Sequence, residues 1–209
     1  MKRCVVLLSI FTILGITGCK SNEEKANELI RTELSKTLYD FDSYQPIETI
    51  VKEAKNTAFN NKECWTYAMV VVSYLNDATE DIKKAQNAQE YMEIWGPPTY
   101  YSSSRSDRKY YEYKKEAEGH LENAERSAKA SRAAIDSIKC IKEKLDTIEI
   151  IGWEVRHKFR CKSKGGYASI GDYKYVIDKE FEKIIFEIDT DDENYSRLVD
   201  IITNAENIK

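Results

Sequence analysis

Two stretches of a heptad repeat, separated by a single turn, constrain the fold of this chain more than any other feature. Between residues 62 and 95, residues that are small or apolar, except Gln89, recur at alternating steps of four and three: Cys64, Ala68, Val71, Leu75, Ala78, Ile82, Ala85, Gln89 and Met92. Pro97 and Pro98 end this stretch. The rhythm then returns, with Lys142 as an exception, at Leu121, Ala124, Ala128, Ser131, Ile135, Ile138 and Leu145. Because an apolar stripe of this length needs a partner, we predict two long helices folded back as an antiparallel, coiled-coil-like hairpin.

The segments on either side of the hairpin have other periodicities. Residues 24 to 38 place Ala26, Leu29, Ile30, Leu34 and Leu38 at helical spacing, and "IETIVKEA" is typical of a strand. After residue 148 the period becomes two, with Trp153, Val155, His157, Phe159 and Cys161 on one face and charged residues on the other. This alternation predicts a half-buried antiparallel strand, and "YASIGDYKYVIDK" and "KIIFEID" predict two more before a final helix.

These elements together predict an α+β fold. An N-terminal helix packs on a sheet of about four antiparallel strands, the long helical hairpin interrupts this unit, and a C-terminal helix closes it. We expect a split α+β domain formed by residues 25–58 and 147–209, with residues 59–146 inserted as the hairpin.

The first 19 residues indicate a lipoprotein. "MKR" is a short basic region, "CVVLLSIFTILGI" is apolar, and "ITGC" has the pattern of a lipobox. We therefore predict a signal peptide over residues 1–18, lipidation of Cys19, and a tether over residues 19–24. The alternative is an ordinary signal peptide in which Cys19 falls at this position by chance. Several acyl chains on one cysteine anchor a protein durably, because each buried methylene contributes about 0.8 kcal/mol.

Charge and hydropathy limit the partners of the mature chain. Removal of residues 1–18 takes away Lys2 and Arg3, which leaves 30 basic and 36 acidic residues and a net charge of −6. No basic field dominates, so we expect no nucleic-acid partner. No second apolar run is long enough to span a bilayer, so the lipid on Cys19 is the expected membrane contact. The expected location is the bacterial cell envelope, at the outer membrane, with the periplasmic and surface faces both open.

Export favours disulfide formation, and three cysteines remain beside Cys19. A hairpin turn centred near residue 102 would place Cys64 and Cys140 at matching heights near its base. A Cys64–Cys140 disulfide is therefore our hypothesis, and two ordinary buried thiols are the alternative.

Two segments carry a family resemblance. "DFDSYQPIET" and "WEVRHKFRCKSKGGYASIGDYKYVIDKEFEKII" resemble a small domain of uncharacterised envelope lipoproteins of the type common in gut Bacteroidota. In that family, strands carry a turn of the form Arg-x-Lys-Asn-x-x-Gly-Gly. Here the turn runs from Arg160 to Gly166, with Ser163 where Asn is usual. The resemblance covers about 70 of the 209 residues. It implies a fold and an envelope location, and no catalytic residues.

No catalytic motif stands out. His157 lies on the apolar face of its strand and is interpreted as a core histidine with a hydrogen-bond partner. His120 lies among glutamates, where a solvated helix face is a simpler interpretation than a weak metal site. "DTDDEN" at residues 189 to 194 lacks the glycine of a calcium loop and is interpreted as helix capping. We therefore expect no enzyme activity, no metal site and no cofactor.

The turn of the hairpin contains more aromatic and basic residues than a connection between two helices needs. "IWGPPTYYSSSRSDRKYYEYKK" is rich in aromatic and basic residues, and the candidate partner contacts are Trp95, Tyr100, Tyr101, Arg105, Tyr110 and Tyr111. The leading prediction is a non-enzymatic binding or adaptor lipoprotein that contacts an envelope protein through this tip. The alternatives are a glycan or small-ligand binder, an envelope inhibitor or protection factor acting through the sheet, and rings that merely close the hairpin. Self-association through an exposed heptad face is also open.

Overall fold

The computed structural model describes residues 20–207, so the segment predicted as a signal peptide and the predicted lipidation site, Cys19, lie outside the described residues. The chain forms, in order, α1 (Asn22–Thr37), β1 (Asp40–Lys55), a 3-10 turn (Ala58–Asn60), α2 (Lys62–Trp95), α3 (Ser104–Lys142), β2 (Ile150–Lys162), β3 (Ala168–Ile177), β4 (Ile184–Asp189), α4 (Tyr195–Asn204) and a second 3-10 turn (Ala205–Asn207). The predicted α+β fold class is confirmed. Within these residues, no helix is both long and apolar enough to cross a membrane.

The four strands form one antiparallel sheet in the order β1-β2-β3-β4. The predicted alternation along β2 is confirmed, because Val155, His157 and Phe159 are buried on one face while Arg156 and Arg160 are exposed on the other. Helix α1 covers the first face with Ala26, Ile30 and Leu34. A capping box between Ser21 and Glu24 starts α1 inside the segment predicted as a tether.

Strand β1 is longer than predicted. It begins at Asp40, ahead of the predicted strand "IETIVKEA", and it includes Pro46. Proline removes a backbone donor, which a central strand could not tolerate. Because β1 lies at the edge of the sheet, the missing donor of Pro46 disrupts only a short part of the ladder, where the pairing register shifts.

His157 is a core histidine, as predicted. The Tyr44 hydroxyl donates to Nε2 at 2.9 Å, and Nδ1 donates to the Thr49 hydroxyl at 2.9 Å. Thr49 in turn donates to Oδ1 of Asn27 at 2.6 Å, so the neutral imidazole links α1, β1 and β2. Burial lowers the pKa of His157 from 6.5 to about 4, although the charge of Asp172 acts in the opposite direction.

The base of the hairpin packs on the other face of the sheet. Trp65 and Val71 of α2 and Ile138 of α3 share a core with Val176 of β3 and Ile202 of α4. The lower part of the segment predicted as an insertion thus belongs to the same hydrophobic core as the sheet. This packing holds the hairpin at its base.

The predicted hairpin is confirmed, but the position of its seam is partly wrong. Beyond Ala78 the contact line passes through Asp81, Ala85 and Ala88, whereas Ile82 is 45% exposed. On α3, Leu121 is exposed and His120 takes the seam position. Small alanines let the helices approach closely, and Nδ1 of His120 lies 2.8 Å from Oδ1 of Asp81 across the seam. A polar pair therefore occupies positions that the apolar pattern assigned to Ile82 and Leu121.

Candidate functional site

The turn of the hairpin is a well-defined loop between Trp95 and Ser104. Gly96 ends α2 with φ of 65°, a left-handed conformation that favours glycine. Ser103 caps α3 by accepting a hydrogen bond from the backbone of Ser106 at 3.1 Å. The Ser106 hydroxyl donates to the carbonyl of Trp95 at 2.9 Å, which ties the two helix ends together. Polar contacts therefore close the loop.

Helix α3 begins earlier than the sequence pattern indicated. The heptad pattern returns only at Leu121, but α3 starts at Ser104, so Arg105, Tyr110 and Tyr111 stand on a helix. The reason is local: the Ser103 cap, with Asp107 in the first turn, favours a helix start at this point.

Some of the aromatic rings close the hairpin end. Tyr91 of α2 and Tyr113 of α3 stack with their centroids 5.1 Å apart, and the ammonium group of Lys109 lies 5.5 Å from the Tyr113 centroid. Trp95 and Tyr110 are each half-buried at the same end of the hairpin. For these rings, the interpretation that they only close the hairpin agrees with the geometry.

Tyr100 and Tyr101 differ from the other rings. They are 95% and 93% exposed, and they meet each other edge to face with centroids 5.3 Å apart. Ile94 is 74% exposed and Tyr111 is 57% exposed on the same end of the hairpin. Since the loop is closed by other groups, neither Tyr100 nor Tyr101 is needed to hold it. We name the group Ile94, Tyr100, Tyr101 and Tyr111 the aromatic tip.

The end of the hairpin that carries the aromatic tip is positively charged. Residues 94–115 carry five cationic side chains and two carboxylates, a net charge of +3 in a chain whose total is −4. Both carboxylates have partners: the Ser102 hydroxyl donates to Asp107, and Lys109 pairs with Glu112 at 2.8 Å. Arg105 and Arg108 are exposed and make no ion pair within residues 20–207. An acidic surface would complement this end of the molecule.

The predicted disulfide does not form in the structure. Cys64 and Cys140 are both free thiols; Cys64 is buried and Cys140 is exposed. The two thiols face different directions. Cys140 follows the fully buried Ile138 by two residues, which places its side chain about 200° around the helix from that of Ile138 and therefore away from the core that contains Cys64. Burial raises the pKa of Cys64 to about 11, so its thiol is protonated and unreactive at neutral pH.

The acidic segment after β4 also differs from its interpretation as a helix cap. Asp189 and Asp192 accept hydrogen bonds from the backbone of Asp191 and Asn194, and α4 begins only at Tyr195. These carboxylates shape the turn. Among residues 20–207, no group of three or more histidine, cysteine or acidic side chains is placed to hold a metal ion.

Sequence reasoning missed a charged cluster on the sheet. Glu154 lies between Lys52 at 2.8 Å and Lys174 at 3.2 Å, and Arg156 makes two hydrogen bonds to Asp172 at 3.0 and 2.7 Å. The available signal was the charged face of β2. Charged side chains on one face of a strand are either solvated or paired, and only the structure shows that Glu154 and Arg156 are paired here.

Comparison with known proteins gave no match: no family model, no curated protein and no solved structure matches this chain. The resemblance to Bacteroidota envelope lipoproteins therefore stays a prediction.

Proposed function

We propose that the protein is a lipid-anchored lipoprotein of the bacterial cell envelope that binds another envelope protein through its aromatic tip. The role is binding without catalysis. The observation that carries the proposal is the exposure of Tyr100 and Tyr101, at 95% and 93%, on a loop whose closure depends on other groups. Two exposed tyrosines next to each other are unusual on a scaffold, whereas tyrosines are enriched where proteins recognise each other.

The hairpin supports this role as a spacer. Helix α2 has 34 residues, which corresponds to a length of about 50 Å at the usual rise per residue. The base is held in the core by Trp65 and Ile138, which are 1% and 0% exposed, so the tip is presented on a supported arm. Cys19, next to the first described residue, would attach the opposite, sheet-containing part of the chain to the membrane.

The chemistry of the tip describes the partner. Apolar area is supplied by the aromatic tip, and charge by Arg105 and Arg108, so the partner surface should combine an apolar patch with acidic residues. The exposed cations would raise the rate of association, and this rate should fall as salt is added.

Affinity purification from solubilised envelopes tests this proposal. The full-length protein is compared with the double variant Tyr100→Ser and Tyr101→Ser, and with the control double variant Tyr39→Ser and Tyr167→Ser. Tyr39 and Tyr167 are 71% and 78% exposed but lie on the sheet domain, so the control removes the same rings elsewhere.

We expect one envelope protein to be recovered with the wild type and with the control, and to be lost with the tip variant. Equal recovery with all three proteins would contradict the proposal. The anchor is tested separately: Cys19→Ala should release the protein from membranes, and unchanged membrane association would refute lipidation.

A further inference from the structure

Strand β4 leaves one edge of the sheet open. It is the last strand in the order β1-β2-β3-β4, and no further strand lies beside it among residues 20–207. The backbone N–H of Thr190 donates to the carbonyl of Asp172 at 2.9 Å, so the alternation of an antiparallel ladder makes Ile188 face β3 as well. Glu187 and Asp189 therefore direct their backbone N–H and C=O groups away from the sheet, and no hydrogen bond to these groups is present within residues 20–207.

The opposite edge of the sheet, formed by β1, is protected against pairing with another chain. Strand β1 contains Pro46, Lys52 and Lys55, and its pairing register shifts at three places. Prolines, bulges and lysines are the devices by which natural sheets block their edges. The six residues of β4 contain neither proline nor lysine. The edge of β4 is therefore the one suited to accept an additional strand.

A groove of about 480 Å³ lies beside this edge, between β4, α2 and the start of α4. Its apolar lining comes from Met69 and Val72 of α2, Ile188 of β4 and Leu198 of α4. Ile188 is 6% exposed and belongs to the core that α2 shares with the sheet, whereas Met69 is 48% exposed. Side chains on the α2 side of an added strand would therefore meet apolar surface that is now in contact with water.

The lining of the groove is acidic. It includes three acidic residues, Glu187, Asp189 and Asp192, and no lysine or arginine. None of the three makes an ion pair within residues 20–207. Arg197 approaches the lining, because its Nη1 donates to Oδ1 of Asn76 at 2.8 Å. Three carboxylates against one guanidinium leave a net charge of −2, which a cationic partner would complement.

The charges and the apolar surface lie on opposite sides of the edge. Glu187 is the cross-strand partner of Tyr175, whose ring belongs to the core beneath α1, so the carboxylate of Glu187 lies on the α1 side. Asp189, two residues further along the strand, lies on the same side. Ile188 lies between them and faces α2. A strand with cations on one side and apolar side chains on the other would match this arrangement.

Glu187 has no cation to compensate its charge. Burial raises the pKa of Glu187, and the carboxylate of Glu33 on α1 raises it further. The ammonium group of Lys36 lies 2.7 Å from the carboxylate of Glu33, so this cation is already paired. A lysine or arginine opposite Glu187 on an added strand would stabilise its ionised form.

We propose that the edge of β4 binds an extended segment of a partner protein in which cationic and apolar residues alternate. The segment adds a fifth strand to the sheet, and its backbone pairs with the outward groups of Glu187 and Asp189. Its cations lie on the α1 side, and its apolar side chains enter the groove beside Met69. A second copy of β4 would place carboxylates against carboxylates, so charge opposes self-pairing at this edge. The surface lies on the sheet domain and is independent of the aromatic tip.

Fluorescence anisotropy with the full-length protein in neutral detergent tests the proposal. The probe is a labelled peptide of about seven residues in which lysine and valine alternate, and we expect a dissociation constant below about 1 mM at low salt. A comparison peptide, with every lysine replaced by glutamate, should bind at least about tenfold more weakly. Absence of binding by the lysine–valine peptide, or equal binding of the two peptides, would overturn the proposal.

Two N-methylated forms of the lysine–valine peptide test the backbone pairing. One form carries the methyl group on every lysine amide and the other on every valine amide, while the side chains stay the same. On an added strand only alternate N–H groups face β4, so one form should lose binding and the other should retain it. Equal affinities of the two forms would overturn strand addition.

Two glutamate variants place the binding at β4. Glu187→Gln removes a carboxylate that has no ion pair within residues 20–207, so the fold should persist, and affinity for the lysine–valine peptide should fall about threefold. The control Glu125→Gln makes the same change at an exposed position of α3 and should bind as the wild type. Unchanged affinity of Glu187→Gln, or an equal loss in both variants, would place the peptide elsewhere on the molecule.

Discussion

The buried imidazole of His157 should make the stability of this protein depend on pH. His157 is 0% exposed, and both of its ring nitrogens already have partners in Tyr44 and Thr49. Its pKa is lowered to about 4 in the folded protein, against 6.5 when unfolded. Between these two values the unfolded chain binds a proton that the folded chain does not, so stability falls as the pH falls.

The size of the effect follows from the two pKa values. A difference of about 2.5 between the two pKa values corresponds to about 3 kcal/mol in the free energy of unfolding. About 2 kcal/mol of this stability should be lost between about pH 7 and about pH 4.5. Glu154 and Asp172 also have lowered pKa values, and their contributions are lost as the pH falls further. They add to the acid sensitivity of every variant that retains them.

The substitution His157→Gln isolates the histidine. Glutamine supplies a donor and an acceptor in a similar volume and does not titrate, so it should remove the pH-dependent loss and retain the contribution of the carboxylates. Urea unfolding of both proteins at about pH 7 and about pH 4.5 gives, for each protein, the change in the free energy of unfolding between the two pH values. The wild type should lose about 2 kcal/mol more than the variant. His120→Gln is the control because it keeps His157. Equal losses in wild type and His157→Gln would refute the assignment of a buried neutral imidazole.

Two further predictions concern buried side chains. The Tyr175 hydroxyl is buried and has no hydrogen-bond partner within residues 20–207, so Tyr175→Phe should leave the free energy of unfolding unchanged or raise it by about 1 kcal/mol. Urea unfolding measures this change, and a large loss in Tyr175→Phe would reveal a missed partner. Maleimide should label the exposed Cys140 in the native protein and Cys64 only after unfolding; mass spectrometry reads both sites, and protection of both without reductant would reinstate the disulfide.

The sequence predicted the hairpin well because long helices repeat the same signal many times. One helical stripe sampled over more than four heptads tolerates single errors, so the two arms were found although Ile82 and Leu121 are exposed. Those errors have a physical cause. Apolarity assigns the seam to the larger side chains, while the structure places the Asp81–His120 pair there, and pairing across two helices leaves no pattern along either one.

The candidate sites were predictable to different degrees. The aromatic tip was found because its composition departs from that of a turn, but the separation of Tyr100 and Tyr101 from the rings that close the hairpin needed their exposures. The groove beside β4 was not predicted. Its lining comes from α2, β4 and α4, and the open edge depends on the order of the strands in the sheet. Neither is encoded in local periodicity.

The most direct test of the proposed function is a photo-crosslinking amino acid placed at residue 101 in living cells. Tyr101 is 93% exposed on the aromatic tip, and Tyr39, at 71% on the sheet domain, is the matched control position. Binding through the tip predicts one discrete adduct from position 101 and none from position 39. The adduct should weaken as salt is raised, because the residues around the tip are cationic. Absence of an adduct at position 101 in a folded, membrane-bound protein, or identical adducts from both positions, would contradict the account.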